Sequence, residues 1–288
     1  MWIGAAILSA FFAGITAILS KCGVKNTNSD VATAIRTTIV LVFSLIMVLI
    51  GGSYKGIGTI DSTSWIFLIL SGLATGASWI CYYKALSLGD VSKVSAVDKS
   101  SVILSVLFAI VIFPEERVNW VIKIICLILI AIGTFLMTNI NFSNKQKNMK
   151  WLIFSLLSAF FASITSLLAK IGINNVDSNL ATAIRTMIVL VIAWLIVFAR
   201  KETKFIKNVT KKEFLFLVFS GLATGISWLC YYYAIKNGQV SIVVPIDKLS
   251  ILVTILFSLI VFKEKFSLKS YLGVILITIG TLLMAILG

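Results

Sequence analysis

The chain has 288 residues, 59% hydrophobic and 12% charged, with 25 Lys or Arg against 11 Asp or Glu and no histidine. The apolar excess over an ordinary globular domain is gathered in runs of roughly 20 residues, long enough to cross a ~30 Å hydrocarbon layer as helices. The missing histidine excludes imidazole relays and His-metal sites, and the net charge of +14 lies in loops too short to form a nucleic-acid-binding domain.

Helices are predicted over 2–20, 31–50, 64–84, 94–113 and 118–138, then over 151–169, 180–199, 214–234, 243–262 and 268–287. Their apolar stretches are continuous rather than alternating, which favours helices over barrel strands. The expected fold class is therefore an all-α polytopic membrane protein in the lipid bilayer. The opening MWIGAAILSAFFAG lacks the basic stretch of a signal peptide and reads as the first span. Cys22, Cys81, Cys126 and Cys230 lie in or at the ends of apolar runs without zinc or redox spacing. They read as small buried side chains, and neither a metal nor a cofactor is expected.

The second half repeats the first. LSAFFAGITAILSK at Leu8–Lys21 returns as LSAFFASITSLLAK at Leu157–Lys170, and ATAIRT at Ala32–Thr37 returns at Ala181–Thr186. Ser71–Glu115 returns as Ser220–Glu264 at a constant shift (220 − 71 = 149), while Gly133–Thr134 matches Gly280–Thr281 at 280 − 133 = 147. Two residues are thus missing late in the second copy. The polar stretch NINFSNKQKNMK divides the chain into a first five-helix repeat (1–138), a linker (139–150) and a second repeat (151–288). Five spans per unit make the second unit enter from the opposite side. Inverted repeats of this kind mark many secondary transporters, with substrate held near the midplane between them. Odd-numbered loops carry most bases, above all Arg200–Lys212, whereas even-numbered loops hold little beyond Lys55, Arg117, Lys123 and Lys236. The positive-inside tendency then puts both termini outside the cytoplasm.

The candidate site residues come in pairs. On the third and eighth predicted helices Gly72, Gly76, Trp79 and Tyr83, and their copies Gly221, Gly225, Trp228 and Tyr232, are three or four apart and share a face. Either the glycines let helices approach and the rings fill core, or the rings wall a substrate cavity, with Tyr82 and Tyr231 as hydrogen-bond donors. On the fourth and ninth helices Asp98, Ser101 and Ser105, and Asp247, Ser250 and Thr254, form polar stripes. A carboxylate within the bilayer must be paired or face water. Lys99 and Lys248 project away from these acids, so Arg36 and Arg185 are the candidate partners in structural salt bridges. The alternative is that one or both Asp residues exchange a proton or bind a substrate ammonium while a basic residue receives its carboxylate. Pro245, opposite Ala96, is a candidate for loosening the ninth helix. Lys21 and Lys170 read as snorkelling helix ends, and Ser9, Thr16, Ser158 and Thr165 share a face able to line a polar path. Lys84, matched by Tyr233, and Asp30, matched by Asn179, break the symmetry.

Phe113-Pro114-Glu115 before Gly133, and Phe262-Lys263-Glu264 before Gly273 and Gly280, resemble the fourth-helix ending of EamA-type members of the drug/metabolite transporter superfamily. The resemblance covers the whole chain and implies ten spans as two inverted five-helix repeats. It also implies cytoplasmic termini, against the loop charges. Small multidrug relatives carry an acid in the first helix; Ile3–Ser20 and Leu152–Ala169 contain none. The expected function is secondary-active transport, as export, of a small polar or zwitterionic metabolite of the amino-acid or organic-acid class, with protons as a candidate coupling ion. The alternatives are movement of a lipid-linked or amphiphilic substrate, and multidrug efflux. The chain has no GxxxxGK[ST] nucleotide motif, and no enzymatic constellation is expected. With both halves fused, a monomer suffices, a homodimer being the alternative.

Overall fold

A computed structural model describes residues 1–23, 27–138, 149–262 and 267–287, except the side chains of Ser92, Lys99, Val261 and Phe262. The first half forms α1 (Trp2–Gly23), α2 (Ser29–Ile50), α3 (Ser62–Leu88), α4 (Val91–Lys99), α5 (Ser101–Ile112) and α6 (Trp120–Thr138). The second forms α7 (Lys150–Ile173), α8 (Ser178–Ala199), α9 (Lys211–Asn237), α10 (Val240–Lys248), α11 (Ser250–Phe257) and α12 (Leu268–Leu287). Among the described residues ten helices are long and apolar enough to span a membrane; α4 with α5 makes the fourth and α10 with α11 the ninth.

α3 and α9 have 27 residues each, rods of roughly 40 Å at ~1.5 Å per residue. Both outrun the predicted 64–84 and 214–234 at each end, because their polar first turns and their last turns, Ala85–Leu88 and Ile235–Asn237, read as loop. Asp61 caps α3 by accepting from the Ser64 amide, and Thr210 with Glu213 forms a reciprocal capping box on α9.

The fourth and ninth spans each tighten for one turn beside their Asp-Lys pair. Ser100 (φ −63°, ψ −11°) and Leu249 (φ −61°, ψ −12°) adopt the same conformation. Their amides bond three residues back, Ser100 to Val97 and Leu249 to Ile246. Pro245 is present in one span and absent from the other, so the proline is not what breaks the ninth helix.

Equivalent helices of the two halves cross antiparallel. Asp30 near the start of α2 meets Arg200 just beyond the end of α8, and Thr38 accepts from Trp194 at 3.2 Å. Asn119, preceding α6, donates to the Leu287 carbonyl of α12 at 3.0 Å, whereas Ser270 at the start of α12 reaches Met137 near the end of α6. Two copies that run oppositely are related by an axis in the membrane plane, as the odd span count requires. The halves interlock: α1 packs on α9, and α3 on α7.

Small residues allow these approaches. A Cβ at Gly72 would lie 2.8 Å from that of Ile188, and one at Gly221 would lie 2.9 Å from that of Ile39. The paired glycines on α3 and α9 are thus packing sites against α8 and α2. A Cβ at Gly133 would lie 2.6 Å from the Gly273 carbonyl oxygen, where α6 meets α12.

Candidate functional site

The site is built from α3 and α9 outward. Trp79 and Trp228 are copies (79 + 149 = 228) and lie in contact, ring centroids 4.8 Å apart and planes 48° from parallel. A residue can touch its own copy only near the pseudo-two-fold axis, so this contact marks the centre. A cavity of about 180 Å³ opens around it, lined from both halves by Thr16 and Thr165, Thr75 and Thr224, Ser78 and Ser227, the two Trp, Tyr82 and Tyr231, Tyr83 and Tyr232, and Asp98 and Asp247. Arg36 and Lys248 complete its charged lining. Among the described residues it carries two carboxylates and two bases.

Each carboxylate is held by a serine of the opposite half. Ser158 on α7 donates to Asp98 at 2.7 Å, and Ser9 on α1 donates to Asp247 at 2.7 Å. Those serines also meet Ser78 and Ser227, each at 3.2 Å. Hydroxyls therefore supply the polar compensation that a membrane-embedded acid demands.

The expected Asp98–Arg36 and Asp247–Arg185 ion pairs are not formed among the described residues. Both guanidinium groups are instead taken up by rings and hydroxyls. Arg36 sits 4.3 Å from the Trp79 centroid and 4.8 Å from that of Tyr83, and its Nη1 donates to Thr224 at 3.1 Å. Arg185 sits 4.0 Å from Tyr232 and 5.9 Å from Trp228. Its Nε and Nη2 donate to Ser71 and Thr75, each at 2.9 Å. Cation–π stacking and hydroxyl acceptors stabilise both charges, but only Arg36 lines the cavity.

Other sequence candidates fall elsewhere. Ser101 and Ser250 are buried, with hydroxyls lacking a partner among the described residues, and lie outside the cavity lining. Lys84 is half-buried and also outside it. The Lys99 side chain lies outside the described residues. Lys21 does not snorkel but reaches the Leu86 and Gly89 carbonyls, 3.2 and 3.4 Å away. Lys170 repeats this on Ile235 and Gly238 at 3.0 and 2.8 Å. Each lysine thereby satisfies carbonyls left over at the C-terminus of a long helix. Asp30 pairs with Arg200; the copy Asn179 faces Gly51 in place of that arginine (200 − 149 = 51), so the charge is lost from both partners together.

The sequence reading left out the lining hydroxyls of Thr75, Ser78, Thr224 and Ser227, and it also left out Glu116. Glu116, fully buried, accepts from the Val240 amide at 2.6 Å and the Ser241 amide at 3.3 Å, capping α10. Buried Lys123 donates to the Glu116 carbonyl at 2.9 Å. The end of α10 opposite this cap carries Asp247 and Lys248.

Comparison with known proteins now places the molecule. The model of the EamA-like transporter family matches residues 1–139 and again 149–286. The chain belongs to the EamA-like transporter family. An uncharacterized transporter encoded in a cobO 3′ region of Sinorhizobium sp is 41% identical over 136 residues, 47% of this chain and 96% of that protein. An uncharacterized protein of Methanocaldococcus jannaschii is 30% identical over 135 residues, again 47% of this chain and 96% of its own length. About half of this EamA-like chain thus corresponds to nearly the whole of each relative. A solved crystal structure shares the fold, with a TM-score of 0.74 at 17% identity, covering 99% of this chain and 97% of its own. The molecule is a multi-pass membrane transporter by family.

Proposed function

We propose that this EamA-like protein is a secondary-active exporter of a small zwitterionic metabolite, of the amino-acid or organic-acid class, working by alternating access between its inverted halves. The observation that carries the reading is the cavity on the pseudo-two-fold axis lined by both charge signs, where, among the described residues, Asp98 and Asp247 face the same space as Arg36 and Lys248. A zwitterion presents both signs to such a surface, while tryptophan and tyrosine faces cover its apolar part. Lipophilic cations alone would favour an apolar cavity of one charge sign. The hydroxyl-bound aspartates are the proposed sites of proton exchange, since protonation would remove the charge that strengthens the bonds from Ser9 and Ser158 across the half–half interface. The test is competition for uptake into proteoliposomes or inverted vesicles, with amino acids, organic acids, sugar phosphates and lipophilic cations as competitors. Amino acids or organic acids should compete; competition confined to lipophilic cations or amphiphiles refutes the reading.

A further inference from the structure

We infer that Arg36, and not its copy Arg185, receives the acidic group of the substrate, and that Ser20 is the positioning residue that keeps it available. This rests on the transport reading above and gives the substrate a fixed orientation in a nearly two-fold site.

The halves should treat the two arginines alike, yet they do not. Arg185 is pinned by Ser71 and Thr75, and its remaining Nη1 is buried without a partner among the described residues. The copies of those acceptors are Ser220 and Thr224 (71 + 149 = 220; 75 + 149 = 224), and Arg36 bonds only the second of them. The Ser220 hydroxyl is engaged instead by Ser20 at 2.8 Å. Ser20 also meets the Tyr83 hydroxyl at 3.3 Å and accepts a long 3.4 Å bond from Arg36 Nη1.

The copy of Ser20 is Ala169 (20 + 149 = 169). Without a hydroxyl there, Ser71 is left to Arg185. One serine-for-alanine difference therefore diverts the acceptor that would otherwise occupy Arg36 Nε. Among the described residues that nitrogen is buried without a partner and Nη2 makes no hydrogen bond, although Arg36 is only 3% exposed and lines the cavity.

A guanidinium 4.3 Å from the Trp79 centroid, with Nε and Nη2 unused among the described residues, matches a planar, charged acceptor, which is a carboxylate. Leaving buried donors unmatched is costly, so an acid entering the cavity gains most at this corner. Arg185 also keeps one nitrogen unpaired among the described residues, but it lies outside the cavity lining, so an acid in the cavity meets Arg36 instead.

The test is titration of purified full-length protein with L-leucine, 4-methylpentanoate and L-leucinamide, read by tryptophan fluorescence. The two carboxylates should bind roughly tenfold or more tighter than the amide, the span expected of one charged hydrogen-bonded contact. Arg36→Lys should shrink that ratio to about threefold or less, because an ammonium cannot replace the planar fork. Ser20→Ala, a small change that frees Ser220 to accept from Nε, should do the same while melting like the wild type; Arg185→Lys should retain the full ratio. An unchanged ratio in both Arg36→Lys and Ser20→Ala, or its loss only in Arg185→Lys, overturns the inference and leaves the transport reading standing. Wild-type protein that binds none of the three probes overturns both.

Discussion

Glu116→Leu tests the buried cap on α10. Glu116 and Lys123 are both 0% exposed. The carboxylate bonds two helix-terminal amides and stands 3.5 Å from the ammonium, which has the Glu116 carbonyl as its other partner. Removing the acid leaves a buried ammonium without its counter-charge, a change that costs about 3–5 kcal/mol. Uncapping the α10 amides adds roughly 1 kcal/mol. Glu116→Gln retains an oxygen for those amides and should cost less. Adding Lys123→Met to Glu116→Leu removes the stranded charge, and the double variant should recover most of the loss, because replacing both partners is far cheaper than removing one. Thermal unfolding of purified protein in detergent should rank wild type highest and Glu116→Leu lowest, with the double variant between. A Glu116→Leu protein that melts like the wild type, or a double variant less stable than the single, refutes the reasoning.

Asp98→Asn with Asp247→Asn should abolish the pH dependence of flux while membrane insertion is kept; unchanged pH-dependent flux in the double variant removes the proton-coupling proposal. Gly133→Ala puts a methyl against the Gly273 backbone rather than a movable side chain, and such overpacking costs about 1–3 kcal/mol. Its melting temperature should fall further than that of Gly58→Ala, where a Cβ meets nothing within 4 Å; equal melting would contradict the close α6–α12 approach. Cysteines introduced at Lys145–Lys150, in protein lacking the four native cysteines, report orientation. Protection from an impermeant maleimide on intact cells agrees with the loop charges, and labelling there reverses them.

Much of this protein is written along the chain. Span count, repeat and inversion follow from apolar length and from an odd number of crossings per unit, both properties of local composition in a ~30 Å solvent slab. The rings Trp79 and Trp228 and the acids Asp98 and Asp247 were legible for the same reason: helical spacing places them on one face, and lipid makes a carboxylate there conspicuous. Partner choice was not legible. Whether Arg36 meets Asp98 or Thr224 depends on how α2 crosses α9 of the other half, set by contacts such as Gly221 against Ile39. The capping role of Glu116 likewise exists only because the loop before α6 reaches the first turn of α10, more than a hundred residues away in sequence. Periodicity along a helix tells which side chains share a face; only the crossing of helices from the two halves decides which donor meets which acceptor, because a hydrogen bond is satisfied over about 3 Å and sequence spacing says nothing of that distance between distant segments.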